Sequence, residues 1–458
     1  MSQPNEASSN SNRYKKYLLV VLMFILAFNF VDRVALGVLL QSIKTDLRLS
    51  DTQLGFMTGI AFALFYSVMG LPIARWADRG NRVTIIAAST AVWSLMVAAC
   101  GLAGTFVQLL LIRVGVGIGE AGAVPASFSL ISDYFKRAER PTATAVFSMG
   151  APLSFLLGYF PAGWLNQEFG WRVTFAVLAL PGVALALLAW LTLKEPRLTQ
   201  PVQNEGAVKE GVVSTPVEDC SAPSPPLRTV LALLWKVRSF RHLLLAYAAL
   251  FFFTSGLLQW QPTFFLRSYE FATGELGSWF SLIYGAGGLI GTYWGGRLAS
   301  RYATHDERRQ LKATSLAYVT LAIISTAIYI TSSLHVALFA LVISAIGMYS
   351  TTGPLWATIQ TVVPERMRAT AISILYLSAN LVGAGFGPLA VGALSDLLTP
   401  SLGAESLRYA LLFVSPGLIW PAWHIWRSSA TVAQDIEALQ RTPQAPNLAD
   451  SPFCLEHS

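Results

Sequence analysis

The chain has 458 residues, of which 54% are hydrophobic and 12% charged, with a formal net charge of +7 and a mean hydropathy of +0.52. Soluble domains carry roughly 25% charged residues, so this composition excludes a water-soluble globular domain. The basic excess gathers between alternate apolar runs, which reads as membrane topology and not as a nucleic-acid footprint.

Apolar runs able to cross a hydrocarbon core of about 30 Å predict twelve helices, at 17–40, 52–76, 83–105, 107–134, 141–165 and 171–193, then at 241–266, 275–300, 311–332, 335–362, 368–397 and 405–428. The first begins after a polar stretch and is too long for a signal peptide, so it is expected to be a retained span. Ser50-Asp51-Thr52-Gln53 has the pattern of a capping box at the start of the second helix. Pro196 and Pro364 suit helix ends, and 197–228 is rich in Pro, Ser, Val and Glu without helical periodicity, as a linker is. The expected organisation is a tail over 1–16, a six-helix bundle over 17–196, a linker over 197–240, a second bundle over 241–428 and a tail over 429–458, with an amphipathic piece at 432–439.

Arg13, Lys15 and Lys16 precede the first helix, Arg75, Arg79 and Arg82 follow the second, and Lys136, Arg137 and Arg140 follow the fourth. The second half repeats this, with Lys236, Arg238 and Arg241, then Arg297, Arg301, Arg308, Arg309 and Lys312, then Arg366 and Arg368. Most of the 32 Lys and Arg therefore fall on one side, which is expected to be cytoplasmic and to hold both termini. Cys100, Cys220 and Cys454 are scattered and suggest neither a disulfide framework nor a metal site.

An internal repeat supports two halves. Gly70-x4-Arg75-Trp76-Ala77-x4-Arg82 is echoed by Gly296-x4-Arg301-Tyr302-Ala303-x4-Arg308, and Glu139-Arg140-x2-Ala143-Thr144-Ala145 by Glu365-Arg366-x2-Ala369-Thr370-Ala371. Both pairs share one offset, as the parallel repeats of many secondary transporters do, with the substrate site between the halves near the bilayer midplane.

Most of these helices carry no ionisable group in their middle. The exceptions are Asp32 and Arg33 in the first helix and Arg113 and Glu120 in the fourth. A charge near the bilayer centre costs about 2.5 kcal/mol or more, so such groups pair or line a wet cavity. Adjacent residues 32 and 33 point about 100° apart, whereas 113 and 120 share a helix face about 10 Å apart along the axis. Two readings stand: Asp32 and Glu120 exchange protons while Arg33 and Arg113 bind an anionic group, or the four only compensate one another's charge.

The corresponding region of the second half reads Thr254-Ser255 and then Gln259-Trp260-Gln261-Pro262, without charge. Amide and indole groups there suit a polar substrate, or they glue helices together. Tyr376 and Asn380 are further substrate candidates, with Tyr284 beside them. Asp78, Arg79 and Arg82, with Asp133 at the end of the fourth helix, form a candidate gating latch, against the alternative of a plain topology signal. The glycine- and proline-rich fifth and eleventh helices suit close packing first and bending second. Gly117-Ile118-Gly119-Glu120-Ala121-Gly122 matches a dinucleotide-binding pattern but sits inside an apolar helix without a preceding strand, so no cofactor is expected.

Asp78-Arg79-Gly80-Asn81-Arg82 resembles the signature between helices two and three of the major facilitator superfamily, with Ala74 where that signature has glycine. Asn29-Phe30-Val31-Asp32-Arg33 and Arg113-x-Gly115-x-Gly117-x-Gly119-Glu120-Ala121 resemble the spinster-like branch. The resemblance implies an all-α integral membrane protein of two pseudo-symmetric six-helix bundles, alternating access around a central cavity, and coupling and recognition by Asp32, Arg33, Arg113 and Glu120. It also implies an amphipathic anion as substrate. The expectation is a monomeric multi-pass secondary transporter of the bacterial inner membrane, with a small-molecule substrate, protons and the lipid bilayer as partners and no nucleic acid or metal. A membrane-embedded enzyme, or a receptor or scaffold, is the alternative; the dispersed His242, His305, His335, His424 and His457 make no metal or nucleophile constellation.

Overall fold

The computed structural model describes residues 4–136, 138–199, 227–302, 306–363 and 367–441. Most of the expected linker and tail, with Cys220, Cys454, His305, His457, Glu365 and Arg366, lies outside the described residues. The first half consists of α1 (Pro4–Leu47), α2 (51–79), α3 (Arg82–Cys100), α4 (106–134), α5 (140–169) and α6 (171–192). The second consists of α7 (Arg238–Ser268), α8 (273–302), α9 (Glu307–Ile330), α10 (Leu334–Val362), α11 (368–402) and α12 (406–441). Short helices Pro196–Thr199 and Leu227–Lys236 lie between the halves in the chain.

Among the described residues, nine helical stretches are long and apolar enough to cross a membrane. Two of these, Thr142–Thr192 and Thr370–Ala438, have 51 and 69 residues, where one crossing needs about 20. Each folds back at a glycine in the left-handed region, Gly170 (φ 77°) and Gly403 (φ 55°), a conformation that costs a side-chain-bearing residue far more than glycine. With α8, whose Gly-rich sequence is less apolar, twelve crossings result, and α1 begins and α12 ends on the same face, here the terminal face.

Local chemistry explains the ends and bends. Ser50 and Gln53 make the reciprocal capping box at α2, with Gln53 N–H donating to Ser50 Oγ at 3.1 Å and Ser50 N–H donating to Gln53 Oε1 at 2.9 Å. Asn81 caps α3 through Thr84 N–H at 3.1 Å. Several helices depart from the sequence-based boundaries. The first continues to Leu47, α11 continues to Leu402, and the amphipathic 432–439 piece is the end of α12 and not a separate element. Single π-helical turns interrupt α8 at Ser281–Ala286 and α11 at Ala379–Ala384; such turns recur at functional sites and leave no periodicity signal in a sequence.

One continuous apolar core runs through both halves, with a small separate cluster of Val31, Ala35, Ala162 and Leu178 in the first. The halves meet where α2 crosses α11, α5 crosses α8 and α1 crosses α7. At the first crossing α2 is broken at Gly59, where an added Cβ would lie 2.2 Å from the carbonyl oxygen of Gly385, so only glycine permits this approach.

Candidate functional site

Between the halves lies a chamber of about 290 Å³, walled by α1, α2, α4 and α5 on one side and by α7 and α11 on the other. Arg33 and Arg113 line it. Their acids stand behind them: Asp32 is 2% exposed and Glu120 not at all.

Helix geometry produces a crossed arrangement. Because residues 32 and 33 diverge around α1 while 113 and 120 lie on one face of α4, each α1 residue reaches a different level of α4. Arg113 Nη1 donates to Asp32 Oδ2 at 2.5 Å. Arg33 Nε donates to Glu120 Oε2 at 2.9 Å, and its Nη2 contacts the same oxygen. Removing one member of a buried pair costs about 3–5 kcal/mol, because it strands the other charge, so each pair accounts for the presence of its partner in the membrane interior. Asp32 Oδ1, Glu120 Oε1, Arg113 Nε and both polar atoms of the buried Asn29 side chain have no partner, which leaves the cluster with hydrogen-bonding capacity in hand.

Aromatic rings surround the half-buried Arg33. The Arg33 guanidinium lies 4.3 Å from the ring centre of Phe62, 4.9 Å from that of Tyr66 and 5.0 Å from that of Phe30. Phe62 also lies 5.3 Å from the Arg113 guanidinium. Sequence reasoning missed Phe62 and Tyr66; their i, i+4 spacing on one face of α2 is the available signal.

The second half contributes unequally. Gln259 and Asn380 line the chamber. Trp260 and Gln261, adjacent to Gln259 on α7, turn about 100° and 200° away and are not on its wall. Trp260 instead donates to the Pro388 carbonyl at 2.8 Å. Gln261 Nε2 donates to Tyr329 at 3.0 Å and its Oε1 accepts from Tyr284, beside a second cavity of about 40 Å³. Tyr376 is 48% exposed and stacks on Trp356 with ring centres 4.9 Å apart, off the chamber wall, while its carbonyl accepts from Asn380 Nδ2 at 2.9 Å.

Of the gating candidates, Arg82 is buried and reaches Asp133 at 2.6 Å. It also holds Glu195, whose carboxylate accepts the Arg82 backbone N–H at 2.7 Å. Burial raises the tendency of Glu195 to hold a proton, but the hydrogen bonds from Arg82 outweigh this and keep its carboxyl below the ordinary value. All three residues belong to the first half, so these bonds brace that half internally. The side chains of Asp78 and Arg79 lie outside the described residues.

The bonds that join the halves sit at the face far from the chain ends. Asp51 receives Arg267 Nη1 at 2.8 Å and Nη2 at 2.7 Å, Lys44 at 2.7 Å and the Ser395 hydroxyl at 2.7 Å. Asp396 in turn accepts the N–H groups of Asp51 at 3.0 Å and Thr52 at 2.7 Å, an acid at the positive end of α2. This hub was missed because Asp51 reads as part of a cap.

Known proteins place the chain. The family model described as Major Facilitator Superfamily matches residues 22–424. An MFS-type efflux pump of Mycolicibacterium smegmatis is 33% identical over 91% of this chain and 93% of that protein. The hexuronate transporter of Bacillus subtilis is 26% identical over 88% of this chain and 94% of its own length. The solved structure of a bacterial homologue of the human lysosomal transporter spinster, inward-facing and unoccupied, superposes with a TM-score of 0.78 at 28% identity, covering 95% of this chain and 99% of that one. The two-halved helical fold around a paired-charge chamber and the match over nearly the whole length lead to one assignment: the chain belongs to the Major Facilitator Superfamily and is a multi-pass membrane transporter with the fold of the spinster homologue, not an enzyme.

Proposed function

We propose that this transporter is proton-coupled and carries an organic anion by alternating access, with residues 17–196 and 241–428 as the two rocking bodies. The observation that carries the reading is that both arginines line the chamber while both carboxylates stand behind them in direct contact. With Glu120 ionised, Arg33 is held by it. Protonation of Glu120 removes that attraction and leaves a desolvated guanidinium facing the chamber, where a carboxylate or phosphate can replace the lost partner. Anion and proton then occupy the site together and cross together. Asp32 and Arg113 form the second, deeper exchange pair, and Gln259 and Asn380 contribute neutral polar contacts from the other half. Trp260, Gln261 and Tyr376 act on the wall from behind by fixing α7 and α11.

One relative, named for hexuronates, supports an organic solute. The basic loops support a cytoplasmic terminal face. The Asp51 hub then lies outside, which makes this an inward-open state of an inner-membrane protein, with one chain sufficient for a pathway. Arg82, Asp133 and Glu195 brace the cytoplasmic end of the moving first half, and in the chain Arg82 follows Asp78 and Arg79 at the end of α2.

Reconstitution into liposomes tests the reading. Under an imposed pH gradient the protein is expected to accumulate an anion from a defined mixture. Chemical turnover without translocation, or accumulation indifferent to the gradient, contradicts it.

A further inference from the structure

The polar groups on the chamber wall are mostly spoken for. Thr58 donates to the Leu54 carbonyl at 2.9 Å, Ser154 to that of Ala151 at 2.6 Å, Ser255 to that of Gly383 at 3.2 Å, and Asn380 Nδ2 to that of Tyr376 at 2.9 Å. Gln259 is the contrast: it lines the chamber, and its buried Nε2 has no partner. That nitrogen lies against Gly37, 3.9 Å from where a Cβ would stand, one turn of α1 beyond Arg33. A free amide donor on α7 thus abuts α1 one turn from the guanidinium of Arg33, which also lines the chamber.

The apolar part of the wall mixes aliphatic side chains, among them Val34, Leu36, Leu258 and Pro388, with four rings. Phe30, Phe62, Phe155 and Tyr159 line the chamber. Phe155 is fixed from behind, stacked on Tyr284 at 5.6 Å and edge-on to Tyr349 at 6.2 Å between ring centres. Such rings present flat apolar faces that favour offset or edge contact with another ring. A sugar acid brings several hydroxyl groups that lose water on entry and need new donors and acceptors. Beyond Arg33, Arg113, Gln259 and the Tyr159 hydroxyl, this wall has few donors to spare.

We propose that the chamber selects aromatic carboxylates, with the carboxylate shared by Arg33 and the Gln259 amide and the ring lying against Phe62 and Phe155. This rests on the anion-transport reading above and narrows its substrate class. It also separates this chain from a relative named for hexuronates.

Binding to the purified full chain in detergent at mildly acidic pH tests it, with three carboxylate probes: 1-naphthoate, glucuronate and dodecanoate. The expected result is 1-naphthoate binding at least about tenfold tighter than either other probe. Gln259→Leu should weaken 1-naphthoate by about tenfold, the loss of one hydrogen bond to a charged group. Phe155→Leu should weaken 1-naphthoate while leaving the other probes within about twofold. Arg33→Gln should remove binding of all three, and Arg33→Lys serves in its place if that variant does not fold. Should glucuronate or dodecanoate bind as tightly as 1-naphthoate in an Arg33-dependent manner, aromatic selectivity is overturned and the anion reading stands. Should no probe bind in an Arg33-dependent manner, both are overturned.

Discussion

Arg267 and Gln41 are 226 residues apart in the chain, the offset of the internal repeat, and their side chains touch: Arg267 Nε donates to Gln41 Oε1 at 2.7 Å. Thr263 and Gly37, also 226 apart, meet at 3.4 Å. Residues at equivalent repeat positions come into direct contact only where the axis relating the halves passes between them. That axis therefore runs between α1 and α7 at the far face, beside the Asp51 hub.

Under the alternating-access reading proposed above, the hub is the joint that has to open for the chamber to face the other way. Arg267 gives Asp51 a two-pronged ion pair across the halves, so Arg267→Gln should shift the population toward an open far face. The check is labelling of Leu36→Cys, on the chamber wall, by a membrane-impermeant maleimide added at the far face. About tenfold faster labelling corresponds to about 1.4 kcal/mol of lost closure. An unchanged rate contradicts a closing role for the hub.

Gly59 makes a complementary prediction. A Cβ there would meet Gly385 O at 2.2 Å, so Gly59→Val should prevent this crossing from closing while leaving each half folded. Cross-linking of cysteines placed at Thr52 and Asp396, whose side chains meet at 2.6 Å, reports closure. Loss of cross-linking with retained monodisperse protein is expected, and full retention contradicts the tight crossing.

Arg113 and Asp32 are each almost wholly buried, so Arg113→Met strands a carboxylate. The expected cost is about 3–5 kcal/mol in thermal or denaturant unfolding. The double variant Asp32→Asn with Arg113→Met should recover most of it, because no charge is then left unpaired. Equal destabilisation by single and double variants would falsify the pairing.

Glu195 sets an acid limit outside the membrane spans. Its folded carboxyl is held below the ordinary value by Arg82, against the effect of burial. A depressed value means that the contribution is complete above the unfolded value, about 4.3, and is lost as pH falls through the lower folded value. The stability difference between the parent chain and Glu195→Gln should therefore be largest near neutral pH and shrink in acid below about 4.3. A difference that grows on acidification reverses the sign and contradicts it.

Much of the fold was legible because the bilayer demands long apolar helices and places basic loops on one face. Asp32, Arg33, Arg113 and Glu120 stood out for the same reason: each interrupts an otherwise uncharged run. Their divergence on α1 and shared face on α4 followed from helical spacing alone, whereas the pairing depends on how α1 and α4 are set against each other. Asp51 and Arg267 were invisible because each sits at a helix end, and Asp396 because it falls at the end of the helix expected over 368–397, places where charge is ordinary, and they meet from α2, α7 and α11. Phe62 gave no contrast in a chain with 26 Phe. Gln259, Trp260 and Gln261 are neighbours in sequence but face different ways, and only the packing of α7 decides which one reaches the chamber.

In the proposed mechanism a proton on Glu120 is what admits an anion to Arg33. The direct measurement compares pH-gradient-driven accumulation with exchange at equal pH on both sides, in liposomes carrying the parent chain or Glu120→Gln, using whichever probe anion binds through Arg33. Glu120→Gln is expected to keep exchange and lose gradient-driven accumulation, because a neutral side chain leaves Arg33 open at every pH. Undiminished pH-driven accumulation by that variant would contradict it.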